Sequence, residues 1–143
     1  MRRILLILAF STLIFHSCLQ RDENNLSKED LNYINEIISL EEGEIIELFE
    51  TNGGLNGFKT SGNFITNKRL AHYWIDGENS KIHTLKYSQI DSLIAVDRRN
   101  AITYASFLKV YGAEQHHFKI FIDADSLRTW EFFNKALENW KNK

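Results

Sequence analysis

Near residue 123 the spacing of apolar residues changes from two to three and four, and this change of period fixes the order of the chain's architecture. Before it, short runs alternate apolar and polar side chains between turn residues. After it, Leu127, Trp130, Phe133, Leu137 and Trp140 recur at helical spacing. Alternation at every second residue puts one face of a strand indoors, whereas a stripe at intervals of three and four needs a surface to cover it. The chain therefore reads as mainly β, α+β by content: an antiparallel domain closed by one amphipathic carboxy-terminal helix.

Seven strands are predicted, over residues 44–50, 62–66, 69–75, 81–86, 90–97, 101–111 and 116–123. Asn67 and Lys68 make a two-residue hairpin, and Asp76 to Asn79 the next turn. Ile90, Ile94 and Val96 are expected on one face of their strand, while Phe118, Ile120 and Ile122 alternate with His117, Lys119 and Phe121. Asp123 or Asp125 caps the last helix, and Lys135, Lys141 and Lys143 lie toward its carboxyl end, where cations suit the dipole. Trp74, Trp130 and Trp140 could line a ligand groove, but their strand and helix spacing assigns them to the core.

A second helix is predicted ahead of the strands, over residues 27–41. Ser27 caps it with Asp30 at the third helical position, and Leu26 can meet Leu31 as a hydrophobic staple. Leu31, Ile34 and Ile38 share a face, with Ile37 beside them, until Gly43 breaks the pattern.

The first residues are of another kind. Arg2 and Arg3, the apolar run from Ile4 to Phe15 and the small Ser17 precede Cys18, the one cysteine of the chain. A cationic start, a short apolar stretch and a small residue before the cut describe a secretory leader. The run is too short to span a bilayer, which takes about 20 apolar residues. With cysteine at the cut, the segment resembles a bacterial lipoprotein signal. That resemblance implies removal of residues 1–17, acylation of the Cys18 thiol, and an anchor in the membrane of the bacterial envelope, the outer membrane being the expected one. Phe15 and His16 stand where such signals usually hold Leu and a small residue, so cleavage by the ordinary signal peptidase is the alternative. Residues 18–26 then form a polar tether with nothing to bury. Its Gln20-Arg21-Asp22-Glu23 is similar to signals that send some lipoproteins to the cell surface, and a periplasm-facing position is equally compatible with it.

Removing Arg2 and Arg3 with the leader leaves 15 of the 17 Lys+Arg against 19 Asp+Glu, a formal charge of −4. That argues against nucleic acid or an anionic bilayer surface as the main partner, since both need a cationic footprint. No second cysteine exists for an internal disulfide, so packing must hold the domain, and a 13% aromatic content supplies one core. Residues 27–143 are read as a single domain.

The hairpin carries a further resemblance. Leu40-Glu41-Glu42-Gly43-Glu44-Ile45-Ile46 looks like the Gly-Glu-apolar opening of bacterial pleckstrin-homology-like (PH/GRAM-like) domains. Gly62-Asn63-Phe64-Ile65-Thr66-Asn67-Lys68-Arg69-Leu70 resembles their Thr-(Asn/Asp)-Lys-Arg-Leu hairpin, and Tyr87-Ser88-Gln89-Ile90-Asp91-Ser92-Leu93 matches the segment that follows. The resemblance covers residues 40–142. It implies an antiparallel barrel of about seven strands with a helix plugging one end, to which the helix at 27–41 is an addition. It also implies a binding scaffold more readily than an enzyme.

Phosphoinositide-binding relatives hold the headgroup with several cations in the first hairpin loop, where residues 51–59 offer only Lys59. Gly53, Gly54 and Gly57 suggest a phosphate cradle, but no Gly-Lys-Ser/Thr follows and no helix is predicted to begin there. Lys68, Arg69, Arg98 and Arg99 could form a small anion patch if their turns meet, or be solvated turns. His72, His83, His116 and His117 with Asp76, Asp123 and Asp125 could gather into a metal or acid/base site. They lack metal-ligand spacing, His116 and His117 point to opposite faces, and His72 reads as half-buried beside Leu70 and Trp74. No nucleophile motif of the Gly-x-Ser-x-Gly kind is present. The expectation is a non-catalytic module without cofactor or metal that binds an envelope or extracellular protein or peptide. The alternative is a small-molecule or lipid carrier with a cavity under the last helix.

Overall fold

The computed structural model describes residues 26–51, 57–98, 105–113 and 116–143. Cys18, the leader and most of the tether lie outside them, as do Gly53, Gly54 and Arg99.

The first helix, α1 (Lys28–Ile38), begins as its sequence predicts. Ser27 Oγ accepts from the Asp30 amide at 3.2 Å, and Asp30 Oδ2 accepts from the Ser27 amide at 2.7 Å. Ser39 ends it in the left-handed region at φ 53°, with its amide on Asn35 O. Ile34 and Ile38 are buried, and Leu26 is buried with Leu31 packed beside it.

Strands β1 (Ile46–Glu50), β2 (Ser61–Thr66), β3 (Arg69–Trp74) and β4 (Lys81–Lys86) form one antiparallel sheet in that order. Strands β5 (Ile90–Val96), β6 (Ser106–Gly112) and β7 (His117–Ile122) form a second. A helical turn, α2 (Gly57–Thr60), precedes β2, where the sequence predicts no helix; the Thr60 hydroxyl closes it on Gly57 O at 3.0 Å. Short 3₁₀ turns at Gly77–Asn79 and Tyr87–Gln89 enter and leave β4. The last helix, α3 (Ser126–Lys141), is capped by Asp125, whose carboxylate accepts from the Arg128 amide at 2.8 Å. The expected pleckstrin-homology-like arrangement is thus the one found: seven antiparallel strands and a carboxy-terminal helix. The strands are divided between two sheets instead of closing one hydrogen-bonded cylinder.

Each face of the first sheet has its own core, because alternate residues face opposite ways. Leu48, Ile65, Leu70 and Leu85 face the second sheet and meet Leu108, Val110, Ile120, Ile122, Phe132 and Ala136. Phe49, Phe64, Ala71 and Tyr73 face outward and are covered by Leu26, Ile34 and Ile38. In this second core the Tyr73 ring lies against Gly62, where a Cβ would collide with it, and the Tyr73 hydroxyl donates to Phe58 O.

Helix α3 lies across the ends of both sheets. Arg128 pairs with Glu50 (Nε to Oε1, 2.5 Å) and Lys135 with Glu47 (3.2 Å), both on β1. Trp140 Nε1 and Lys143 Nζ donate to Ile90 O at the start of β5, at 3.0 and 2.8 Å.

Two expected faces are corrected. Ile90 is buried, but the ladder to β6 slips between Ile90 and Ser92, so Asp91 is an extra residue. The bulge reverses the alternation: Leu93 turns inward, while Ile94 is 48% exposed and Val96 half-buried. On α3 the buried side chains are Thr129, Phe132, Phe133 and Ala136, with Leu137 and Trp140 partly covered, and Leu127 and Trp130 point to solvent. The covered stripe is thus rotated toward Phe132. Trp74 is likewise not core, being 44% exposed.

Candidate functional site

The family-like motifs meet in one network. Glu44, with no exposed side-chain surface, accepts from Arg69 Nε at 2.8 Å and Nη2 at 2.6 Å, and from the Thr66 hydroxyl at 2.7 Å. Asn67 accepts from the Ile45 amide at 3.0 Å and donates to Gly43 O at 3.0 Å. Lys68 Nζ donates to Glu42 O at 2.6 Å and lies 3.5 Å from Glu41, which also takes Lys86 at 2.6 Å. The Gly-Glu opening and the Thr-Asn-Lys-Arg hairpin therefore clasp each other. Burial alone would raise the Glu44 carboxyl; the hydrogen bonds from Arg69, the Glu41 amide and Thr66 outweigh it and hold that group below the usual range.

Of the proposed anion patch, the structure places Lys68 and Arg69 in this clasp. Arg98 lies just past the end of β5, its guanidinium 5.4 Å from the Phe107 ring centroid on the other sheet. Lys59 lies over the Phe58 ring at 5.7 Å.

Away from the clasp, a cleft of about 660 Å³ opens beside the β3–β4 turn, lined by His72, Trp74, Asp76, Asn79, Lys81 and Phe121. Strands β3, β4 and β7 and the β3–β4 turn build it. On β3, His72 and Trp74 follow Leu70 on the face toward the second sheet, and Trp74 pairs with Lys81 of β4. The turn supplies Asp76 and Asn79, fixed by Ser80, whose Oγ accepts from the Asp76 amide at 3.0 Å and donates to Gly77 O at 2.7 Å. Phe121 comes from β7, held there by Asn63.

Asn63 is fully buried in β2, and its Oδ1 accepts from the Phe121 amide at 3.1 Å, a direct link between the sheets. The same oxygen lies 2.9 Å from His72 Nδ1. A backbone amide can only donate, so Asn63 Oδ1 is the acceptor in both bonds and His72 carries its proton on Nδ1. Burial, and then the neighbouring His83, lower the His72 pKa to about 4, so the ring is neutral at ordinary pH.

The histidines do gather in part. His72 stacks on His83 at 6.2 Å, and His83 meets Phe118 at 5.5 Å and His116 at 6.0 Å. His117 turns the other way, against Tyr111. Among the described residues no group of three His, Cys, Asp or Glu is placed to hold a metal ion. His72 gives its Nδ1 proton to Asn63, not to Asp76. Asp123 is exposed and Asp125 is the α3 cap.

The sequence marked His72, Trp74 and the Asp76 turn, but as half-buried, core and connector. It missed Asn63, Lys81, Asn79 and Phe121. An Asn inside an alternating strand is a visible signal, whereas Phe121 joins the others only through the packing of the two sheets.

By element order and topology the chain has a pleckstrin-homology-like fold. No protein-family model and no curated protein matches it. Among solved structures it is similar to a DUF1696-family protein with a pleckstrin-homology domain from Shewanella loihica, at 16% identity over 78% of this chain and 98% of that one, TM-score 0.48. It is also similar to a pleckstrin homology domain from Shewanella amazonensis, at 19% identity over 78% and 92%, TM-score 0.47. The Vps36 N-terminal PH domain is a third, at 17% identity over 73% and 86%, TM-score 0.46.

Proposed function

We propose that this chain is a non-catalytic pleckstrin-homology-like binding module, held at the bacterial envelope through lipid on Cys18, that takes a protein or peptide without cofactor or metal. The observation that carries the binding reading is the open cleft, where an exposed tryptophan and a phenylalanine from the other sheet stand beside Lys81 and Asp76. Apolar walls with a few placed polar groups are what a recognition site requires. Phe132, Phe133 and Ala136 are buried in the inner core on the underside of α3, which supports the protein-binding reading over a carrier with its cavity there.

Photo-crosslinking in cells tests it. A photoreactive amino acid at Trp74 is expected to yield adducts of discrete protein mass, while the same group at exposed Ile82, on the opposite face of the first sheet, yields none. Equal labelling at both positions would remove the cleft as the site. Membrane fractionation of Cys18→Ala tests the anchor separately, and unchanged membrane association would refute it. Protease treatment of intact cells then separates the outward-facing position from the periplasmic one.

A further inference from the structure

The outer face of the second sheet has a charge pattern opposite to that of the chain. Along its β6–β7 ladder, Phe107 stands opposite Phe121, Lys109 opposite Lys119, and Tyr111 opposite His117. The β5 residues paired on that face, Ser92, Ile94 and Val96, are uncharged, and the one β5 carboxylate, Asp91, sits in the bulge at the start of the strand, in a chain with 19 Asp+Glu. Two lysines placed directly across a strand pair repel each other, an arrangement a sheet avoids unless something compensates. Lys119 leans toward Phe107, its Nζ 5.1 Å from the ring centroid. The Phe107 ring in turn lies 5.8 Å from Phe121, which also walls the cleft with Trp74 and Lys81. The lysine pair is thus joined to the cleft through Phe121 and through Phe107, itself buried with Arg98 and Lys119 over its ring.

The chemistry this face can recognise is narrow. Opposed ammonium groups beside aromatic surface select an anion joined to an apolar group. A nucleic-acid site neutralises about 6–10 phosphates, more than Lys109, Lys119, Lys81 and the Arg98 that lies over Phe107 can match. Those four only reach the bottom of the range of about 4–8 Lys or Arg that a polybasic lipid-binding segment uses, and they are spread along a strip of a chain whose net charge is −2. An extended peptide with a few carboxylates matches the count. We propose that the outer face of β6 and β7 docks an acidic peptide segment of a partner protein, with carboxylates between Lys109 and Lys119 and an apolar side chain in the cleft against Trp74 and Phe121. This rests on the protein-binding reading above and adds the chemistry of the partner.

The test is an NMR titration of the ¹⁵N-labelled mature chain in detergent micelles. The probes are an Asp-Glu-Phe-Asp-Glu peptide and its amide analogue Asn-Gln-Phe-Asn-Gln. Binding of the acidic peptide at least tenfold tighter, with shifts at Lys109, Lys119, Phe121 and the Trp74 indole, is expected. The Lys109→Glu, Lys119→Glu double variant should weaken it tenfold or more, and Trp74→Ala should weaken both peptides. Equal affinity for the two peptides, or an indifferent double variant, overturns the acidic preference and leaves the peptide-binding reading standing. If neither peptide binds while phosphatidylglycerol vesicles or an oligonucleotide shift the same amides, both readings fall.

Discussion

Glu44 and His72 are both buried among polar partners, with opposite consequences for their protons. Glu44 is kept charged by Arg69, so removing the arginine strands a carboxylate in the core. Arg69→Ala is expected to cost about 3–5 kcal/mol in chemical denaturation, whereas replacing both partners by apolar residues of similar volume costs far less. With its pKa lowered on folding, Glu44 contributes stability that is present above the ordinary carboxylate range and lost as pH falls through its own lower value. His72 is kept neutral. Between its unfolded value of 6.5 and its folded value of about 4, the unfolded chain binds a proton that the folded chain refuses, so stability falls as pH drops through that window. His72→Gln should flatten this part of the stability profile, measured as denaturation midpoints at pH 7 and pH 5. An unchanged slope would show that His83, whose pKa burial also lowers, carries the effect. The Thr66-Asn67-Lys68-Arg69 motif was legible in the sequence, but its role was not: the cations read as a candidate anion patch hold Glu41, Glu42 and Glu44, residues some 25 positions earlier. Only the folded hairpin brings them together.

At the scale of elements, α1 and the β5 bulge separate what periodicity can tell from what it cannot. The cap, staple and stripe of α1 were all readable, because each is written within a few consecutive residues. Its seat on the outside of the first sheet was not readable, although Phe64 and Tyr73 alternate there with Ile65 and Leu70 and so announce a strand apolar on both faces. Ile34→Ala should cost about 2–5 kcal/mol, seen as a lower denaturant midpoint together with tryptic cleavage at Lys28. An exposed α1 would be indifferent to it. On β5, strict alternation put Ile94 indoors, because a one-residue bulge leaves no mark in an apolar pattern. Deleting Asp91 removes the extra residue and leaves Ile90 and Leu93 inward and Ile94 outward by simple alternation, with the same β6 partners. The variant should therefore keep a single cooperative denaturation transition; loss of that transition would show that the bulge itself is needed. Asp91→Ala keeps the extra residue and should stay within about 0.5 kcal/mol of the parent. The α3 stripe was misplaced for a related reason: Phe132 and Phe133 are adjacent, and spacing alone cannot choose between them.

For the whole molecule, the order of strands and the closing helix followed from the change of period, while the cleft depends on how two sheets meet. Asn63 joins them through Phe121, and α3 joins them again through Glu50 at one end and Ile90 at the other. The N-terminal staple is built differently. Leu26 is the first described residue, and it enters directly into the outer core with Ile34 and Ile38, away from the core that α3 closes. A pull arriving along the chain from its amino end therefore loads α1 before anything else, and the contacts it breaks are those of the outer face alone. Stretched between its two termini in an optical trap, the domain is expected to lengthen in two steps, the first being the peeling of α1 and the second the rupture of the sheets. A single step would mean that the outer core and the inner one fail together. If the tether holds the domain to a membrane, α1 is its shock absorber: it can detach under tension and reseat while the cleft keeps its shape.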